Sequence, residues 1–167
     1  LSTRPPEPAP ADAPPEEFSA GRAWEHLHEI ARAPHPVGSA EGDRVRDHLV
    51  DALEGLGHEV EVQTVRFEDH GRPGIVPPGT TLENVLVRIE GTDSTGAVML
   101  ATHYDSAWFG PGATDAGVSV VALLETMRAL GESGPLRNDL ILLLNDAEEA
   151  GLVGARAFVD EHLGGLT

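Results

Sequence analysis

The stretch Ala97-Val98-Met99-Leu100-Ala101-Thr102-His103-Tyr104-Asp105 runs from unbroken apolar residues into a His and an Asp two positions apart. A second stretch does the same: Leu140-Ile141-Leu142-Leu143-Leu144, then Asn145-Asp146-Ala147-Glu148-Glu149. Apolar runs without alternation suit strands covered on both faces. A helix from about Gly117 to Leu130 lies between them, which makes a β-α-β unit.

The rest of the chain fits around that unit. Ala20, Ala23, Trp24, Leu27 and Ala31 recur at helical spacing behind Ser19, a ready cap. Pro34 and Pro36 end that helix. Ser39 caps a second helix with Val45, Leu49, Ala52, Leu53 and Leu56 on its apolar face, and Gly55 and Gly57 mark its end. Val60, Val62 and Thr64 alternate with polar residues, as do Val85, Val87 and Ile89, so both segments read as half-buried strands. Asp69 to Thr81 is rich in Gly and Pro and reads as loop. A last helix is expected from about Leu152 to His162. The fold class is α/β, with helices packed on a mostly buried sheet.

Composition limits the function. The chain has 167 residues, one domain of ordinary size. Its 28 acidic residues face 11 basic ones, all Arg, for a net charge of −17. Nucleic acid and anionic membrane surfaces want basic patches and are disfavoured. Divalent cations are not. The absence of cysteine excludes disulfides, thiol catalysis and Cys-type zinc sites. No apolar run approaches the roughly 18 residues of a membrane span. Residues 1–17 hold six of the 13 prolines and almost no large apolar residue, so they read as an extended, mobile linker. A linker implies something on its far side, such as a membrane anchor or signal peptide.

Three polar patches fall beyond the strands' carboxyl ends, where α/β sheets place their sites. In His103-Tyr104-Asp105, the His can offer one ring nitrogen to a metal while a carboxylate takes the proton on the other. A surface His beside a turn Asp is the plainer reading. In Gly110-Pro111-Gly112-Ala113-Thr114-Asp115, Asp115 is either the N-cap of the central helix or a carboxylate bridging two cations. In Asp146-Ala147-Glu148-Glu149, the acids either favour the next helix's dipole or divide into a metal ligand and a base for a metal-bound water. The topology sends all three patches to one edge of the sheet, which strengthens the catalytic readings jointly. His26, His28, His35, His48, His58, His70 and His162 read as surface or packing residues. Asp43 and Asp47 read as a solvated helix face.

These motifs, in this order and spacing, resemble the co-catalytic zinc exopeptidases, the family of bacterial leucyl aminopeptidase, aminopeptidase Y and the glutamate carboxypeptidases. Asp146 to Ala155 extends the likeness through Gly151-Leu152-Val153-Gly154. Pro34-His35-Pro36-Val37-Gly38-Ser39, with Gly57-His58-Glu59-Val60, is similar to the branch of endoplasmic reticulum and vacuolar membrane metallopeptidases. The resemblance covers about Phe18 to His162. It implies a mixed, three-layer sheet with helices on both faces, incomplete at its C-terminal side. It also implies two zinc ions and a peptide substrate. His103 would ligate one zinc and Asp105 would orient it. Asp115 would bridge both zincs, Glu149 would ligate the other, and Glu148 would be the general base. An extracytoplasmic, membrane-anchored or secreted location is implied too.

The sequence departs from the family pattern at several points. Ala116 follows the bridging Asp where Asp or Asn is usual. Ser119 stands for a Gly, and Ala147 for the Gly before the glutamates. The family's further Asp and His ligands lie C-terminal to the Glu pair, beyond Thr167. Asp160 and His162 come too early to replace them. The chain therefore reads as the N-terminal part, residues 18–167, of a longer catalytic domain, binding zinc weakly by itself. Two alternatives stand beside this reading. One is a glutaminyl-cyclase-like enzyme with a single zinc, and the other a non-catalytic domain that keeps the peptidase fold.

Overall fold

The computed structural model describes residues 5–67, 77 and 79–162. Both expected caps form. Ser19 Oγ accepts from the Arg22 N–H and starts α1, Ala20–Ile30, while Ser39 Oγ accepts from the Gly42 N–H and starts α2, Ala40–Gly55. The strands are β1, Val60–Arg66; β2, Thr81–Ile89; β3, Ala97–His103; and β4, Asp139–Asn145. Helix α3, Val118–Glu132, joins β3 to β4, and α4, Val153–His162, follows β4. Residues 69–76 and 78 of the expected loop lie outside the described residues, as does His70.

The sheet order is β1-β2-β4-β3. Strands β1 and β2 pair antiparallel, as do β2 and β4, whereas β3 and β4 run parallel. The sheet is thus mixed, and the layers are three. On one face, Val85, Val87, Leu140, Leu142 and Leu144 pack with Leu27 and Ile30 of α1, Val45, Leu49 and Leu53 of α2, and Val120, Leu124 and Met127 of α3. On the other, Leu86 and Leu143 pack with Phe158 of α4. The period-2 alternation of β2 and β4 sends neighbours to opposite layers, so both strands are covered twice.

Strand β3 corrects the sequence reading. Among the described residues it pairs with β4 alone, which makes it an edge. Val98 is 49% exposed and Met99 42%, so the strand is not covered on both faces. Its apolar run matches that of β4, but α4 packs on β2 and β4 and leaves β3 uncovered.

Among its described residues the Pro-rich segment holds no helix or strand, yet it is tied to the domain. Glu125, 2% exposed on α3, accepts from the Ser19 N–H and pairs with Arg22 and Arg128. Those two guanidinium groups, fixed by Glu125, donate onward to the carbonyls of Ala11, Ala13, Pro14, Pro15 and Glu17. Proline carbonyls have no competing N–H on their own residue, and Arg's five donors suit such a row of acceptors.

Candidate active site

The parallel register sets His103 opposite Asn145, at the carboxyl ends of β3 and β4. One more bond, Tyr104 N–H to the Asn145 carbonyl at 3.0 Å, extends the pairing past the strand. The first and third sequence patches therefore leave the sheet side by side.

Asp105 joins them. It is 1% exposed. Its Oδ1 accepts from the Glu148 N–H at 2.9 Å and its Oδ2 from the Glu149 N–H at 3.2 Å. His103 Nδ1 lies 3.0 Å from the Asp105 carbonyl oxygen and 3.4 Å from its Oδ1. The ring is thereby turned so that Nε2 faces Asp115 Oδ1 at 3.2 Å and Glu148 Oε2 at 3.9 Å. Four of the five sequence-predicted residues meet through side chains. Glu149 joins through its backbone N–H, and its side chain is exposed.

Asp115 reaches this place through a kinked turn, Ala113–Gly117, in which its own backbone is non-helical, with φ −127° and ψ 95°. Gly112 has φ +63°, and a Cβ there would stand 2.8 Å from Ser106 Cβ and 3.0 Å from the Asp115 carbonyl oxygen. Only glycine allows that closure. Gly117 is the second close approach: its Cβ would meet the Gly112 carbonyl oxygen at 2.9 Å. The N-cap reading of Asp115 is ruled out, because Gly117 holds the cap position of α3 and no side chain caps it. The dipole reading of Glu148 and Glu149 also fails, since α4 has no acid in its first turn. Ser119, read as a replaced glycine, is exposed on α3. Ala147 is buried with φ +57°, a left-handed conformation that glycine adopts at no steric cost.

Charge is crowded here. Burial opposes a proton on His103, but the hydrogen bond and charge of Asp105 outweigh it and push the ring up to about 9. Burial, then the charges of Asp105, Asp115 and Glu148, hold the Glu149 carboxyl above its ordinary value. Among the described residues no group of three or more His, Asp or Glu is placed to hold a metal ion. The donors that do converge fit zinc chemically. They are an imidazole whose second nitrogen is taken by a buried carboxylate, and oxygens facing its free nitrogen. A cation there would offset the charges of Asp105, Asp115 and Glu148, which add to burial in raising the Glu149 carboxyl.

Asp146 was not singled out by sequence. Burial, then the charge of Asp105, pushes it up to about 7. Folding therefore disfavours its ionised form. Its contribution to stability is intact at low pH and is lost as pH rises from about 4 through 7. At about 1.4 kcal/mol per pH unit this amounts to roughly 4 kcal/mol. Asp146→Asn cannot ionise. Urea unfolding at pH 4, 5.5 and 7 is expected to show the stability difference, variant minus wild type, climbing with pH by up to that amount. A constant difference would contradict the raised carboxyl.

The turn holding Glu148 is also braced from α4. Asn84, fully buried, donates to Gln63 Oε1 and to the Gly154 carbonyl, and it accepts from the Asp146 N–H. A Cβ on Gly154 would meet the Asp146 carbonyl oxygen at 2.1 Å. That partner is backbone and cannot rotate away. Gly154→Ala is expected to lower stability by about 1–3 kcal/mol, read as an earlier guanidinium midpoint at unchanged slope.

Comparison with known proteins agrees with this architecture. Residues 84–164 match the model of Peptidase family M28. A vacuolar membrane protease of Schizosaccharomyces japonicus is 37% identical over 149 residues, covering 84% of this chain and 18% of that protein. One from Candida albicans is 38% identical over 138 residues, covering 82% and 16%. A zinc aminopeptidase from Bacillus subtilis superposes with a TM-score of 0.75 at 15% identity, covering 87% of this chain and 65% of that one. The glutaminyl cyclase of Porphyromonas gingivalis gives 0.74 at 25% identity, covering 90% and 56%. The fold is that of the zinc exopeptidases. The chain matches the M28 peptidases over residues 84–164, and it spans less than a fifth of the length of these curated relatives.

Proposed function

We propose that the chain is the N-terminal part of a zinc-dependent peptidase that removes residues from a peptide end, most closely as an aminopeptidase. The observation that carries this reading is the convergence of His103, Asp115 and Glu148 on one space, with Asp105 behind the ring. His103 and Asp115 would hold zinc, with Glu149 on a second ion. When bound, the metal supplies Lewis acidity toward the peptide carbonyl and the attacking water. Asp105 keeps the Nδ1 proton of His103 in place and so fixes the ring. Glu148 takes the proton from the attacking water and passes it to the leaving amine. A C-terminal part of the domain would add the remaining Asp and His ligands. The relatives' vacuolar membrane name supports a membrane-associated, extracytoplasmic setting, although no helix among the described residues is long and apolar enough to cross a membrane.

The test is zinc per protein after dialysis, measured on the full-length protein and on its His103→Ala variant. Two zincs in the first and fewer in the second are expected. Equal zinc in both would remove His103 from the site. A cyclase-like reading is favoured by the 25% identity to the Porphyromonas gingivalis glutaminyl cyclase and by Ala116, which removes the usual second acid. Formation of an N-terminal pyroglutamyl ring on a Gln peptide, with release of ammonia and without general peptide hydrolysis, would decide for it. A zinc-loaded full-length protein that hydrolysed no peptide would decide for a non-catalytic domain.

A further inference from the structure

Between α1 and α2 the chain passes beneath the candidate site as Pro34-His35-Pro36. The two prolines donate nothing and hold their neighbours extended. His35, read from sequence as a surface or packing residue, is 3% exposed. Each of its polar groups has a partner within hydrogen-bond distance, although a neutral ring, with one N–H, donates to only one of the two carbonyls that face it. Its N–H donates to Ser106 Oγ at 2.8 Å, and its carbonyl accepts from the Ser106 N–H at 3.2 Å. Ring Nε2 stands 2.8 Å from the Tyr104 carbonyl oxygen and Nδ1 2.9 Å from that of Ala33.

The partners are what matter. Tyr104 and Ser106 flank Asp105, and Tyr104 follows His103. The Tyr104 N–H is held by Asn145 of β4, and its carbonyl accepts from the His35 ring when the proton sits on Nε2. The Tyr104 carbonyl belongs to the peptide that leads into Asp105, so its direction sets the plane from which the Asp105 carboxylate starts. A buried imidazole needs partners to offset its desolvation, and an apolar side chain would fill the same space without that cost. We infer that His35 is a positioning residue: through the Tyr104 carbonyl its ring fixes the peptide plane that aims Asp105 at His103. The inference rests on reading His103 and Asp105 as site residues.

Stereochemistry supplies the test. A glutamine at position 35 places its amide nitrogen where Nε2 stands, and so keeps the bond to Tyr104. An asparagine places its amide near Nδ1 and keeps only the bond to Ala33. Leucine keeps volume and neither bond. The readout is the ring resonances of His103 by NMR in this chain, assigned through His103→Ala, together with zinc affinity in the full-length protein. His35→Leu and His35→Asn are expected to shift the His103 ring signals and weaken zinc about tenfold, while His35→Gln stays near wild type. Leu53→Ala, in the buried face of α2, should lose stability and leave the His103 signals in place. Equal behaviour of the Gln and Asn variants would overturn the inference, as would an equal shift from Leu53→Ala. If His103→Ala leaves zinc uptake unchanged, the site reading fails. The ring signals would still decide whether His35 positions the loop.

Discussion

Glu148→Gln in the full-length protein is expected to lower kcat by about 10²–10⁴-fold, the usual contribution of a general acid–base group, with zinc content and KM little changed. The glutamine is nearly isosteric, and its amide neither takes nor returns a proton. Its backbone N–H still reaches Asp105 Oδ1, and its carbonyl still accepts from the Gly151 and Leu152 N–H groups, so the turn survives. The carboxylate is positioned for the role. It lies 3.9 Å from His103 Nε2, and its side chain is about one-third exposed, open to water yet close to the His103 ring. Single-turnover kinetics with matched metal analysis would check this. Zinc loss in the variant would make Glu148 a ligand. Unchanged kcat would remove it from the chemistry, and the proton would need another acceptor.

Sequence carried the architecture far, because the signals that define it are local. Ser19 and Ser39 announce their helices through side-chain bonds to residues three positions on. The two apolar runs announce parallel neighbours. From that pairing alone, His103-Tyr104-Asp105 and Glu148-Glu149 had to leave the sheet together, and the register of His103 with Asn145 realises it. What escaped the sequence reading depends on burial, which no local pattern encodes. His35 sits between prolines and reads as a surface or packing residue, but three contacts with Tyr104 and Ser106 and one with Ala33 tie it beneath the site. Asp146 looks like one more acid in an acidic run. Only its enclosure beside Asp105 separates it from its neighbours. The edge position of β3 escaped for a related reason: an apolar run says that a strand can be covered and does not say what covers it. Arg22 and Arg128 could not be matched to the proline-rich carbonyls, because an arginine's acceptors lie wherever the fold brings them.

Asp105→Ala is expected to be the most damaging single change in the site, and for a reason apart from catalysis. The carboxylate is 1% exposed and accepts from two backbone N–H groups, those of Glu148 and Glu149, while holding the His103 ring. Alanine leaves two donors without an acceptor in a place with little water. Bonds to a charged acceptor contribute about 1.5–3 kcal/mol each, and breaking a buried charged pair costs about 3–5 kcal/mol, so the loss should fall near that upper range. Asp105→Asn separates structure from charge. Its amide oxygen can accept from one of the two N–H groups, so stability should fall less, by about 1–2 kcal/mol. Its amide cannot draw the Nδ1 proton of His103 as a carboxylate does, so zinc affinity should drop by about 10–100-fold in both variants. Guanidinium unfolding of this chain measures the first effect, and competition with a chelator in the full-length protein measures the second. If Asp105→Ala unfolds within about 1 kcal/mol of wild type, a cost typical of an ordinary surface change rather than a buried one, then the carboxylate does not hold the Glu148-Glu149 turn, and the site must be assembled by other contacts. If Asn and Ala lose stability equally while zinc binding separates them, Asp105 serves the ring and not the turn.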